Sequence, residues 1–112
     1  MEKIDFLSES EVDKAVEFLT DTADVSAKYR AERIYMEEYR KSLKAMLMKK
    51  FVDLPISAQE REARSHEDYI GHLKALKIAV ERDEKQRFLR ASAEAKIQAW
   101  QTESANLRAI KI

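Results

Sequence analysis

The sequence predicts an all-α fold in which two long helices pair as an antiparallel coiled-coil hairpin and the hairpins associate into a helical-bundle dimer. Three observations lead there. One Gly and one Pro among 112 residues leave too little turn chemistry for strand hairpins, sandwiches, barrels or alternating α/β units. Apolar residues recur three and four apart over most of the chain, which is the period of a helix face. The single proline, Pro55, stands near the middle and disfavours helix in the residue before it. One domain, 1–112, is therefore expected, with a first helix over about 9–51, a turn over about 52–57 and a second helix over about 58–110.

Ser8 or Ser10 can cap the first helix, with Glu9, Glu11 and Asp13 at its positive end and Lys49-Lys50 at its negative end. At 1.5 Å per residue the helix would run roughly 60 Å. Its apolar stripe passes through Val12, Val16, Leu19, Ala23, Ala27, Ile34, Met36, Tyr39, Leu43, Met46 and Leu47. The drift between Ala27 and Met36 predicts a local stutter or a change of packing partner.

After Pro55, Ser57-Ala58-Gln59-Glu60 fits a capping box, which starts the second helix at about Ala58. Tyr69, Leu73, Leu76 and Val80 begin its stripe, and Phe88, Ala91, Ala95, Ile97, Trp100, Leu107 and Ile110 resume it. Between them, Arg82-Asp83-Glu84-Lys85-Gln86-Arg87 has no apolar residue for more than a turn. Folding back at Pro55 sets Leu43 near His66, Met36 near Leu73 and Leu19 near Ala91. The polar run then faces Asp24-Val25-Ser26, and the two gaps form one polar layer that fixes register. Gly71 weakens the second helix without breaking it.

Composition and spacing exclude most chemistry. No Cys means no disulfide, thiolate metal site or thiol nucleophile. His66 and His72 are six apart and belong to no H-E-x-x-H pattern, so no metal is expected. One glycine cannot build a phosphate loop, and the serines have no spaced His and acid beside them. A two-helix rod offers no cleft for acid–base work. The expectation is no enzyme, no cofactor and no small-molecule substrate. The first residues carry no basic flank with a long apolar run, and no apolar stretch reaches the ~20 residues of a membrane span. A cytoplasmic chain without a membrane role is expected.

Charge balances at 21 basic and 21 acidic residues but is segmented: net −6 over 1–24, +5 over 25–52, −3 over 53–68 and +4 over 69–112. The basic segment interleaves Lys28, Arg30, Arg33, Arg40, Lys41 and Lys44 with Tyr29, Tyr35 and Tyr39, and folding adds Lys74 and Lys77. Cations among aromatics contact phosphates and stack on bases, so this strip is a candidate site for nucleic acid or an acidic partner. The plainer reading is a set of solvated helix faces held by Glu37 with Lys41, Glu81 with Lys85 and Asp83 with Arg87. Tyr39 reads as a core or boundary residue, which leaves Tyr29 and Tyr35 free to bind.

At the other end, Phe6, Leu7, Phe18, Trp100, Leu107 and Ile110 exceed what a two-helix seam covers. They form the candidate oligomer or partner interface, anchored by Trp100. The segments Gln98-Ala99-Trp100-Gln101-Thr102-Glu103-Ser104-Ala105-Asn106-Leu107-Arg108-Ala109-Ile110 and Tyr69-Ile70-Gly71-His72-Leu73-Lys74-Ala75-Leu76 resemble small helical proteins encoded in bacteriophages and prophages. That resemblance covers roughly the second half of the chain. It implies a phage-type origin, a bacterial cytoplasm and a place among accessory proteins of DNA metabolism. Two functions are expected from residues and resemblance together: a non-enzymatic, self-associating protein that binds a host or phage protein or, in second place, a nucleic-acid-binding accessory factor in recombination or replication.

Overall fold

A computed structural model describes residues 8–111. They form α1 (Glu9–Asp21), α2 (Ala23–Met48), a 3₁₀ turn (Lys49–Phe51), α3 (Ile56–Ser65) and α4 (Glu67–Lys111), with no strand among the described residues. The all-α expectation therefore holds, and no described helix is long and apolar enough to cross a membrane.

Both long helices are broken where one continuous element was expected. Ser8 caps α1, its hydroxyl accepting from the Glu11 amide at 3.2 Å. Thr22 ends α1: its hydroxyl donates to the Phe18 carbonyl at 2.7 Å while its backbone leaves helical geometry. A hydroxyl that bonds four residues back competes with the helix ladder in this way. The helix resumes at once, the Ser26 amide donating to the Thr22 carbonyl at 2.9 Å.

The expected turn over 52–57 is shorter, and the capping box does not form. Pro55 takes the cap position with no side-chain bond, α3 starts at Ile56, and Ser57 is already helical. Pro55 lacks an N–H that would need a partner, and its carbonyl accepts from the Gln59 amide at 2.9 Å. The Gln59 side chain donates to the Leu54 carbonyl at 2.8 Å and closes the turn. The second break is at His66, whose ψ of 140° is extended. Its Nδ1 accepts from the Asp68 amide at 3.1 Å, so the imidazole caps α4, with Glu67 and Asp68 favourably placed in the first turn.

The chain divides into two compact units, one of Ala27–Glu84 and one joining residues up to Ser26 with those from Lys85. In the Ala27–Glu84 unit one row of buried and half-buried positions on α2 is Tyr29, Arg33, Met36, Arg40, Leu43 and Leu47. One such row on α4 is Tyr69, His72, Leu76, Ala79 and Asp83. Both sets alternate steps of three and four, a seven-residue repeat. Side-chain contacts join α2 to α4 at Met36 with His72, Arg33 with Asp83 and Tyr29 with Arg82. The stutter expected between Ala27 and Met36 is absent, because Tyr29 and Arg33 keep the spacing there. Ala63 of α3 is fully buried.

In the other unit the same spacing runs through Val12, Ala15, Leu19, Thr22 and Ser26, and through Gln86, Arg90, Ala93, Ile97, Trp100 and Ser104 of α4. The Arg90 guanidinium joins the two sets, donating to the Leu19 carbonyl at 3.0 Å and to the Thr22 hydroxyl at 2.9 Å. No basic residue stands in the last turn of α1, so Arg90 supplies the cation that a helix C-terminus favours.

Several residues expected in the stripe lie outside it. Val16, Ile34, Met46, Leu73 and Phe88 are exposed, as are Ala23, Ala27, Ala91 and Ala95. A seam repeating every seven residues takes whatever side chain stands at its positions. His72, Asp83, Gln86 and Arg90 are drawn in, while Leu73 beside His72 and Leu89 beside Arg90 are left out. Gly71 is exposed, and a Cβ added there would meet nothing within 4 Å.

Candidate functional site

The candidate basic strip lies within the Ala27–Glu84 unit, and its members have separate fates. Arg33, expected to be exposed, occupies a seam position and is committed to three carboxylates: Glu84 at 2.7 Å, Asp83 at 3.1 Å and Glu37 at 3.2 Å. Glu84 first, then Glu37 and Asp83, hold its guanidinium above the already high arginine range, against the opposing effect of burial. Asp83 is only 4% exposed, and a carboxylate so deeply placed needs that paired cation. The polar layer therefore centres on Arg33 and not on Asp24-Val25-Ser26. Its physical cause is the register, which sets Asp83 beside Arg33.

The helix-surface pairs are redistributed accordingly. Glu37 turns to Arg33 and leaves Lys41 to Glu38 at 3.3 Å. Asp83 faces Arg33 where Arg87 was expected. Lys44 reaches Glu60 of α3 at 3.7 Å, an acid that the sequence suggested for the capping box. Arg40 is half-buried on the seam. Lys28, Arg30, Lys74 and Lys77 are exposed and make no ion pair among the described residues.

The tyrosines also depart from expectation. Tyr29 is half-buried beneath Arg82, whose guanidinium stacks 5.9 Å from the ring centre and lies 4.0 Å from Glu32. It is not free to bind. Tyr35 is 66% exposed and stacks on Tyr39 with ring centres 6.0 Å apart. Tyr39, half-buried, rests against His72 at 5.5 Å. The His72 Nε2 donates to the Met36 carbonyl at 2.7 Å, which fixes that tautomer and makes the ring an internal strut. Among the described residues no group of three His, Asp or Glu could hold a metal ion.

Of the candidate interface, Phe6 and Leu7 lie outside the described residues. Phe18 and Trp100 are half-buried, and Leu107 and Ile110 are exposed. Phe18 lines a feature that sequence reasoning missed, a groove of about 290 Å³ in the unit containing α1. Ala15 and Ala93 form its floor, Phe18 and Leu89 its walls, and Glu11, Lys14, Ser92 and Lys96 its rim. The available signal was the alanine at two seam positions, since two small side chains across one seam leave a hollow. The Gln86 Oε1 is buried in the same unit with no hydrogen-bond partner among the described residues.

The polar run that was expected to fix register supplies Asp83, while His72 and Arg90, which also order the seam, were missed. Each bonds to a specific group on the facing helix. The chain matches no protein-family model, no curated protein and no solved structure.

Proposed function

We infer that this chain is a non-catalytic protein-interaction module. Within each unit its helices pair in antiparallel coiled-coil fashion, and their outward apolar side chains engage a partner protein, a second copy being the first candidate. The observation that carries this reading is where the large apolar side chains stand. Phe88, Tyr35, Ile78, Ile34, Val16 and Leu89 are all exposed, whereas the buried apolar set includes four alanines beside Val12, Leu47 and Leu76. Full burial of a large apolar side chain contributes about 1.5–3 kcal/mol. Covering several of these on a partner therefore adds apolar burial that the seam does not supply. The resemblance of the second half to phage-encoded helical proteins supports a host or phage protein as the eventual partner.

The test is sedimentation equilibrium over a wide concentration range, together with uptake of the apolar dye ANS. Association above the 13.1 kDa of one chain, with a melting temperature that rises with concentration, is the expected result. A monomer that takes up ANS reserves the surface for a different protein. A monomer that takes up none overturns the reading.

The nucleic-acid reading retains four exposed cations, Lys28, Arg30, Lys74 and Lys77. Anisotropy of a labelled single strand at low salt decides it, since phosphate contacts weaken steeply as salt rises. Saturable, salt-sensitive binding would move that reading to first place.

A further inference from the structure

We propose that the groove between α1 and α4 is one half of a two-fold interface with a second copy of this chain, a proposal that rests on the protein-interaction reading and names its surface. The groove has an apolar floor at Ala15 and Ala93 and apolar walls at Phe18 and Leu89. Next to the Leu89 wall stands Phe88, 64% exposed, with the Arg87 guanidinium 5.4 Å from its ring centre. Neighbouring side chains on a helix diverge by about 100°, so Phe88 cannot turn into its own groove. A second copy presents the same ring to it from outside.

Charge selects the second copy over an arbitrary apolar partner. Acids outnumber bases on the exposed surface of α1, where Glu11, Glu17 and Asp21 stand with the single base Lys14, and bases outnumber acids on that of α4, where Lys85 and Lys96 stand with Glu94. Glu17, Asp21, Lys85 and Lys96 are the charges that the pairing uses. None of the four makes an ion pair among the described residues. A surface that is acidic on one helix and basic on the other complements itself when a two-fold axis runs along the helices, because α1 of one copy then lies on α4 of the other. The bonds from Arg90 to Leu19 and Thr22 set the level. Lys96, six residues on, falls about 9 Å along the axis, level with residues 13–16, the turn that holds Lys14 and precedes Glu17. Lys85 lies beyond Asp21 in the opposite direction. The alternative axis would set α1 on α1 and acid on acid, which is repulsive.

The experiment is sedimentation equilibrium of the full chain and three exposed-site variants, each first checked for unchanged helicity by circular dichroism. Wild type is expected to dimerise, and Phe88→Ser to weaken dimerisation about tenfold or more, as loss of a central aromatic anchor does. Glu17→Lys/Asp21→Lys and Lys85→Glu/Lys96→Glu are each expected to be monomeric alone, and an equimolar mixture of the two to recover the dimer. A wild-type dimer that all three variants leave unchanged overturns this interface while the protein-interaction reading stands. So does a mixture that stays monomeric. A monomeric wild type overturns the interface as well, and ANS uptake then decides the reading beneath it.

Discussion

In the Ala27–Glu84 unit charged side chains meet each other: Arg33 gathers Asp83, Glu84 and Glu37, Arg82 lies against Glu32, and Lys44 reaches Glu60. In the unit that contains α1 the seam arginine bonds to neutral groups, the Leu19 carbonyl and the Thr22 hydroxyl. The acids Glu17 and Asp21 stay on one helix and the bases Lys85 and Lys96 on the other. Charge in the first unit is satisfied within the chain and specifies register. In the second, Glu17, Asp21, Lys85 and Lys96 are left outside, where they can specify a partner. The comparison shows that a charged residue's role is set less by its exposure pattern in sequence than by what the facing helix offers.

Core truncation has the largest expected effect. Leu47 is 3% exposed, and Leu47→Ala should cost about 2–5 kcal/mol in urea denaturation. A single transition for this variant means that the two units melt together, and two transitions mean that they are separable. Next comes Asp83→Asn, which keeps shape but removes the charge facing Arg33. It should cost about 2 kcal/mol by the same measurement, and an unchanged midpoint would remove the charge layer from the account of the Ala27–Glu84 unit.

The corresponding change in the other unit is Arg90→Met, which keeps length and loses both hydrogen bonds to α1. About 1.5 kcal/mol is expected, with faster amide exchange confined to the last turn of α1. If protection falls equally in the Ala27–Glu84 unit, Arg90 is not a local cap. The smallest effect is Lys41→Ala. Its pair with Glu38 has both side chains about 70% exposed, and such pairs contribute less than about 0.5 kcal/mol. A larger loss in thermal melts would mean that Lys41 has a further partner.

Helicity, the turn at Pro55 and the cap at Ser8 were legible because each rests on local chemistry, namely scarce glycine, a missing N–H and a hydroxyl before acids. The seam was only half legible. An apolar stripe locates Val12, Leu47 and Leu76, but Asp83, Gln86 and Arg90 hold seam positions by spacing alone, and a search for hydrophobicity passes over them as a gap. The expected level of Met36 with Leu73 is met one residue earlier, at His72, an error that follows from choosing the apolar neighbour. The members of the basic strip are divided between faces for a related reason. Arg33 and Arg40 lie on the seam while Lys28 and Lys74 lie outside it, and a list of cations does not distinguish faces. The break at His66 had a signature, acids Glu67 and Asp68 just after a side-chain acceptor, in a stretch that periodicity alone treats as continuous helix.

Gly71 has open space where a side chain would stand, so neither close packing nor an unusual backbone angle requires a glycine there. Alanine at that position should stabilise the helix by about 1 kcal/mol. The chain therefore carries a loosened turn beside His72 that a single substitution could tighten. Local opening of α4 should begin there, and that turn should be the first place where proteases and solvent deuterium find the helix open.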